Sequence, residues 1–432
     1  MFEDGFETIS IHGGFTGDPS EASRAVPVHR TSAYLFKDTE HAANLFALQA
    51  PGNIYTRLGN PTQAVLEERT AALEGGAAAV ALASGTNAVF YAIINICAQG
   101  DEVAASKNLY GGTYTMFNDI LPSYGIKTRF FDLNDEESLN AAVTERTKLV
   151  FVETIGNPTL DVADLNILAD RAHDAGIPLI VDNTFATPYL CRPIEHGADI
   201  VVHSLTKWIG GHGTGIGGIV VDSGKFDWSS GKFPLMTEPD SSYHGLRYAY
   251  DLGEMNAVGY AVRLRLVPLR NLGGCISPDN SWMFLQGFET LALRMQRHSE
   301  NALKAAEILM KHDRVAWVRY PGLETDPSNE LARKYLRNPQ NGGGAGGMVV
   351  FGINGGRDAG SRFINSLKLF SHLANVGDAK SLAIHPASTT HSQLDAKALE
   401  DAGIGEDMIR LSIGIESIDD IIGDLKQALA ES

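Results

Sequence analysis

Short apolar runs punctuate the chain from about Thr62 onward: "AAVALA", "DEVAAS", "TRFFD", "TKLVFVET", "IPLIVD" and "ADIVVHS". Each has the length of a buried strand. Between them lie longer stretches with apolar residues at helical spacing, such as "TQAVLEERTAALEGG", "SGTNAVFYAIINICAQGD" and "LNILADRAHDAG". Strands alternating with helices predict βαβ units and a mostly parallel sheet. The pattern loosens over residues 222–278, where "DSGKFDWSSGKFPLMTEPDSSYHG" reads as a long loop or insertion. It tightens again in "SWMFLQGFETLALRMQRHSENALKAAEILMKH", a helical stretch that bridges into the C-terminal region. There "GGMVVFGI", "GRDAGSRFINSLKLF", "DMIRLSIGIE" and "SIDDIIGDLKQALAE" predict a smaller α/β layer. The start of the chain mixes Pro, Gly, aromatic and polar residues without sustained periodicity, which predicts an extended arm reaching a neighbouring subunit. The expected organisation is an arm over 1–61, a large domain over 62–280, and a linking helix with a C-terminal domain over 281–432.

Composition narrows the classes of partner. A chain of 432 residues with 44% hydrophobic content can bury a large core. Its 35 basic against 52 acidic residues give a net charge of -17, which repels phosphate backbones and anionic lipid surfaces. Neither nucleic acid nor a membrane is an expected partner. The most apolar window, "AAAVALASGTNAVFYAIINICA", is interrupted by Ser84, Gly85, Thr86, Asn87 and Asn95, whereas a bilayer span needs about 20 predominantly apolar residues. Cys97, Cys191 and Cys275 are few and far apart, with no CxxC pair and no His cluster at metal spacing. A cytoplasmic protein without a metal is expected, and the acidic "MFEDGFETISIHGG" carries no secretory signal pattern.

In open α/β sheets ligands sit beyond the carboxyl ends of the strands, so polar residues that end apolar runs are the candidates. At "ALASGTNAVF" a strand gives way to a helix at Ser84 and Gly85, a potential anion site of free backbone amides; an ordinary cap and turn is the alternative. Asp182 ends "IPLIVD" and could pair with a protonated heteroaromatic nitrogen, or simply form an Asx turn. Lys207 follows "ADIVVHSLT", where desolvation beside Ser204 and Thr206 would favour Schiff-base chemistry; the alternative is a solvated loop lysine. Arg410 is an isolated cation in "MIRLSIG", suited to clamp a carboxylate or to face solvent. The glycine pattern "GTGIGG" matches a dinucleotide fingerprint only formally, because it precedes the strand "GIVVD" instead of opening a helix.

Together "YTRLGNPT", "SGT", "ETIGNP", "DNTFATP", "HSLTKWIGGHG" and "HPASTTH" resemble, in order, the Cys/Met-metabolism family of pyridoxal-phosphate enzymes, from about Thr8 to the C-terminus. The resemblance implies a fold type I PLP-dependent transferase: a mostly parallel central sheet flanked by helices, with an N-terminal arm and a smaller C-terminal α/β domain. It implies pyridoxal 5'-phosphate as cofactor, bonded to Lys207. Asp182 matches the partner of the pyridine nitrogen, Gly85 and Thr86 the backbone phosphate cradle, and Ser204 and Thr206 its hydroxyl donors. Tyr110, in "NLYGGTY", matches the aromatic stacked on the ring and an auxiliary acid or base; Asn157 matches the residue near the 3-hydroxyl. Tyr55 and Arg57 match a pair that crosses from a neighbouring subunit to bind the cofactor phosphate, implying a dimer and, by pairing of dimers, a homotetramer. Arg410 matches the substrate carboxylate clamp, with Tyr55 and Asn375 beside the substrate; the family's cystathionine synthases and lyases usually carry serine at the position of Asn375. Chain length, the 222–278 segment and "LANVGDAKSLAIHPASTTH" lean towards the branch that replaces the acetoxy group of O-acetyl-L-homoserine by sulfide, giving L-homocysteine and acetate in methionine biosynthesis. The alternative is a γ-lyase on methionine or cystathionine, or a cystathionine γ-synthase, on the same fold.

Overall fold

The computed structural model describes residues 5–18, 20–389 and 405–432. Seven of the apolar runs become one sheet: β1 Ala78–Leu82, β2 Glu102–Ser106, β3 Lys127–Phe131, β4 Thr147–Glu153, β5 Leu179–Asp182, β6 Ile200–Ser204 and β7 Gly218–Asp222. The order is β1-β7-β6-β5-β4-β2-β3, parallel from β6 through β3, with β7 antiparallel to both neighbours. The residues of β2 and β7 are buried throughout, as are those of β6 up to Ser204. Continuous apolar runs of this kind belong to strands covered by helices on both faces.

Local signals set the helix ends. Helix Pro61–Glu74 begins with Pro at its first position, is capped by the Asn60 side chain accepting from the Thr62 amide, and stops at Gly75 with φ +75°. The second sheet, order β10-β11-β12-β9-β8, collects β8 Val315–Arg319, β9 Met348–Ile353, β10 Ser371–His372, β11 Leu382–Ile384 and β12 Met408–Ser412. Helix Leu291–Met310 packs against β8, β9 and the terminal helix Ile418–Glu431.

Three features depart from the periodicity. The long helical stretch is two helices, Pro278–Glu289 and Leu291–Met310, separated at Thr290. The segment 222–278 is a loop only in its first part; residues 259–272 form a helix whose middle, Arg265–Leu269, widens into a π turn around Pro268. That wider turn accommodates a proline which the rule for helix interiors reads as a break. The early part of the chain carries two short helices, Phe6–His12 and Thr39–Phe46, and the first buries Phe6 and Ser10 and packs against helix Pro61–Glu74. Among the described residues no helix is long and apolar enough to cross a membrane.

Candidate active site

The parallel strands β4, β5 and β6 end side by side in Glu153, Asp182 and Ser204, with Glu153 in register with Asp182 and Asp182 with Val202. Against these ends stands the start of helix Gly85–Ile94. Its cap, Ser84, accepts from the Asn87 amide at 3.1 Å. Gly85 sits so close to β6 that a Cβ there would lie 2.5 Å from that of Ser204. Only glycine permits this approach. The amides of Gly85 and Thr86 open the first turn, where they have no intrahelical acceptor, and Thr86 is exposed. Free amides at a helix start, with a hydroxyl beside them, can cradle an anion. The Thr206 hydroxyl is engaged with Gly217, accepting from its amide at 3.1 Å.

Lys207 leaves β6 by a tight turn, its carbonyl accepting from the Gly211 amide at 2.8 Å. Its Nζ donates to Asn375 Oδ1 at 2.6 Å. Burial, and then the positive charge of Arg410, bring the amine down to about 8. The turn is gripped from the C-terminal part of the chain. Gly377, at φ +79°, leaves room where a Cβ would lie 2.6 Å from the Trp208 amide nitrogen and 2.8 Å from the Lys207 carbonyl carbon. Buried Arg294 donates to the carbonyls of Trp208, Ile209 and Gly287, at 2.6, 3.0 and 2.6 Å. Gly211 and Gly213, at φ +71° and +65°, make the turn in front of Arg294 and Asp378. The glycines after Lys207 therefore serve chain reversal and close packing, and they lead into β7, not into a helix.

Asp182 accepts from the Thr184 amide at 3.0 Å. Burial holds its carboxyl above the ordinary range, opposed by its bonds to Thr184 and by His203. Beside it Glu153 is 6% exposed, and each of its oxygens takes one backbone N–H, from Tyr110 at 2.6 Å and from Asn157 at 3.2 Å. Tyr110 is half-exposed. Arg410, on β12 of the second sheet, donates from Nη1 to Asn157 Oδ1 at 3.0 Å, and burial lowers its guanidinium to about 10.

Lys207, Asn375, Arg410, Asn157 and Tyr110 are thus joined through hydrogen bonds and charge, with Asp182 alongside Glu153. Tyr55 and Arg57 are not tied into this group: the Arg57 guanidinium lies 5.3 Å from the centre of the Tyr55 ring and donates to the Arg270 carbonyl. In "HPASTTH" His385 is buried and bonded to the Glu406 carbonyl and Ser388, while Thr390 and His391 lie outside the described residues. Glu153, Arg294 and Gly377 escaped the sequence reading. Glu153 had a visible signal, an acidic residue ending an apolar run; the other two have none that is local.

An amine below its ordinary pKa, a carboxylate at a strand end, an anion cradle and a guanidinium form a donor set for an aldehyde with an anionic tail and a basic ring nitrogen. The cradle that only Gly85 leaves open fits such a tail. A family model described as Cys/Met metabolism PLP-dependent enzyme matches residues 7–430. The chain is 52% identical over 428 residues to an O-acetyl-L-homoserine sulfhydrylase of Leptospira meyeri, covering 98% of this chain and 96% of that one. It is 51% identical over 427 residues to a homocysteine synthase of Schizosaccharomyces pombe, covering 98% of each. A crystal structure of an O-acetylhomoserine (thiol)-lyase from Campylobacter jejuni with N'-pyridoxyl-lysine-5'-monophosphate matches at a TM-score of 0.94 and 41% identity, covering 99% of this chain and 100% of that one.

Proposed function

The chain belongs to the Cys/Met metabolism family of PLP-dependent enzymes, and we propose from its site how its own residues carry the reaction. It is an enzyme that converts O-acetyl-L-homoserine and sulfide into L-homocysteine and acetate, a step of methionine biosynthesis. The observation that carries this reading is Lys207: a half-buried amine lowered to about 8, within reach of Asn375 and in the field of Arg410.

Pyridoxal phosphate, bonded at Lys207, supplies an electron sink that stabilises negative charge beside the substrate's amino group. Gly85, Thr86, Ser204 and Thr206 would hold the phosphate, and Asp182 would keep a proton on the ring nitrogen. Tyr110 and Asn157 would hold the ring. Arg410 takes the substrate carboxylate, with Asn375 and the neighbour's copy of Tyr55 beside it. Lys207 would remove the Cα proton and go on to serve Cβ as the Cγ–O bond breaks, acetate leaves and sulfide bonds to Cγ. One base must visit several atoms, and a flexible amine suits this better than a fixed carboxylate. Tyr110 would assist it.

The same reading divides the chain into an arm to residue 61, a cofactor domain to 280 and a C-terminal part, with Tyr55 and Arg57 completing a neighbour's site in a homotetramer built of paired dimers. The half-exposed Tyr55, bonded to nothing in its own chain's cluster, supports this. A cytoplasmic location is supported by three free cysteines. The assay that tests the function offers O-acetylhomoserine with sulfide and, separately, methionine alone. Homocysteine formation in the first is expected; release of 2-oxobutyrate from methionine at a comparable rate would instead make the protein a γ-lyase.

A further inference from the structure

We propose that Glu153 is a positioning residue that sets both halves of the site at once, Tyr110 at the cofactor ring and, through Asn157, Arg410 at the substrate carboxylate. The inference rests on the roles of Tyr110 and Arg410 given above. Glu153 closes β4, and its two oxygens divide between two loops. Oε1 accepts from the Tyr110 amide at 2.6 Å and Oε2 from the Asn157 amide at 3.2 Å. Tyr110 is the residue before helix Gly111–Thr115, so this bond fixes the point where the chain turns into that helix. Asn157 passes the constraint on by accepting from Arg410 at 3.0 Å. The loops are joined a second time where Asn108 Nδ2 donates to Thr159 Oγ1 at 3.0 Å and Gly156 lies against the Asn108 carbonyl.

A buried carboxyl beside a second one is expensive to keep if it only fills space. Burial and the neighbouring Asp182 push Glu153 well above the ordinary carboxyl range, and an apolar side chain would avoid that cost. What an apolar side chain lacks is two acceptors pointing at two backbone amides, each of which is costly to leave buried without a partner. The geometry calls for a forked acceptor at this strand end.

Glutamine at this position keeps the shape but has one acceptor oxygen. In E153Q that oxygen should stay with the shorter Tyr110 bond and the amide nitrogen should face the Asn157 N–H. The expected result is a split. The circular dichroism of the cofactor's visible band and the dissociation constant of pyridoxal phosphate stay at parental values, while KM for O-acetylhomoserine rises about tenfold with kcat little changed. E153A removes both acceptors and should also alter the cofactor band and weaken cofactor retention; if it does not fold, E153Q decides alone. A parental KM in E153Q overturns the proposal. So does a loss of cofactor and substrate affinity together in step with the melting temperature, which is what a merely structural role gives. R410K, measured in parallel, separates the two layers of the argument. A parental KM there overturns the clamp and this inference with it, whereas a raised KM there beside a parental KM in E153Q overturns the role of Glu153 alone.

Discussion

Lys207 is an amine made easier to deprotonate by its surroundings. Burial and the nearby Arg410 charge both disfavour the ammonium form, so its pKa falls from 10.5 to about 8 and the neutral, nucleophilic fraction grows as pH rises through that value. The rate at which the cofactor-free protein attaches pyridoxal phosphate should therefore climb with pH around a midpoint near 8. R410A removes a like charge, so the midpoint should move up towards the ordinary lysine value. The same substitution should weaken amino-acid substrate binding by about 1.5–3 kcal/mol, the worth of a hydrogen bond to a charged group. A midpoint that does not move would separate Arg410 from the lysine, and unchanged substrate affinity would remove it from the clamp. The sequence was informative at Asp182, which ends an apolar run, and at Lys207, which follows the end of another. Glu153 ends such a run too, but "ETIGNP" directs attention to Asn157, and only the structure shows the acid joining two loops.

Elements carry these residues through close backbone contacts. Gly75 and Gly377 have nearly the same φ, +75° and +79°, yet a Cβ at Gly75 meets nothing within 4 Å, whereas at Gly377 it meets backbone of Lys207 and Trp208. G75A should cost only the strain of a left-handed alanine, about 1–2 kcal/mol, and leave cofactor binding intact. G377A must also move the lysine turn, since a clash with backbone cannot be relieved by a rotamer change. It should lower the melting temperature further and weaken pyridoxal phosphate binding, measured by thermal unfolding and cofactor titration. Equal effects of the two substitutions would show that the turn is not gripped from Gly377. Caps and periodicity made helix Pro61–Glu74 and the parallel strands readable, because those signals are local. Helix 259–272 was not readable, since a π turn around Pro268 is a tertiary accommodation of a residue that ordinarily ends a helix.

For the whole molecule the decisive contacts are the most distant in sequence. Arg410 reaches Asn157 across 253 positions and Lys207 reaches Asn375 across 168; no periodicity encodes such meetings, and here the family motifs, taken jointly, stood in for them. Tyr55 and Arg57 extend the reasoning beyond one chain. If they complete a neighbour's site, subunits carrying R57A and subunits carrying K207A, each inactive alone, should regain activity when mixed and reassembled, up to about a quarter of parental, because each mixed dimer holds one intact site. No recovery, with mixed dimers demonstrated, would return the arm to its own chain. All of this depends on the convergence of strand ends upon one lysine. Borohydride reduction of the purified, cofactor-loaded protein followed by peptide mass spectrometry tests it most directly. The pyridoxyl label is expected on Lys207, and its loss, with loss of turnover, in a folded K207A protein; a label on another lysine, or near-normal homocysteine synthesis by K207A, would contradict that convergence.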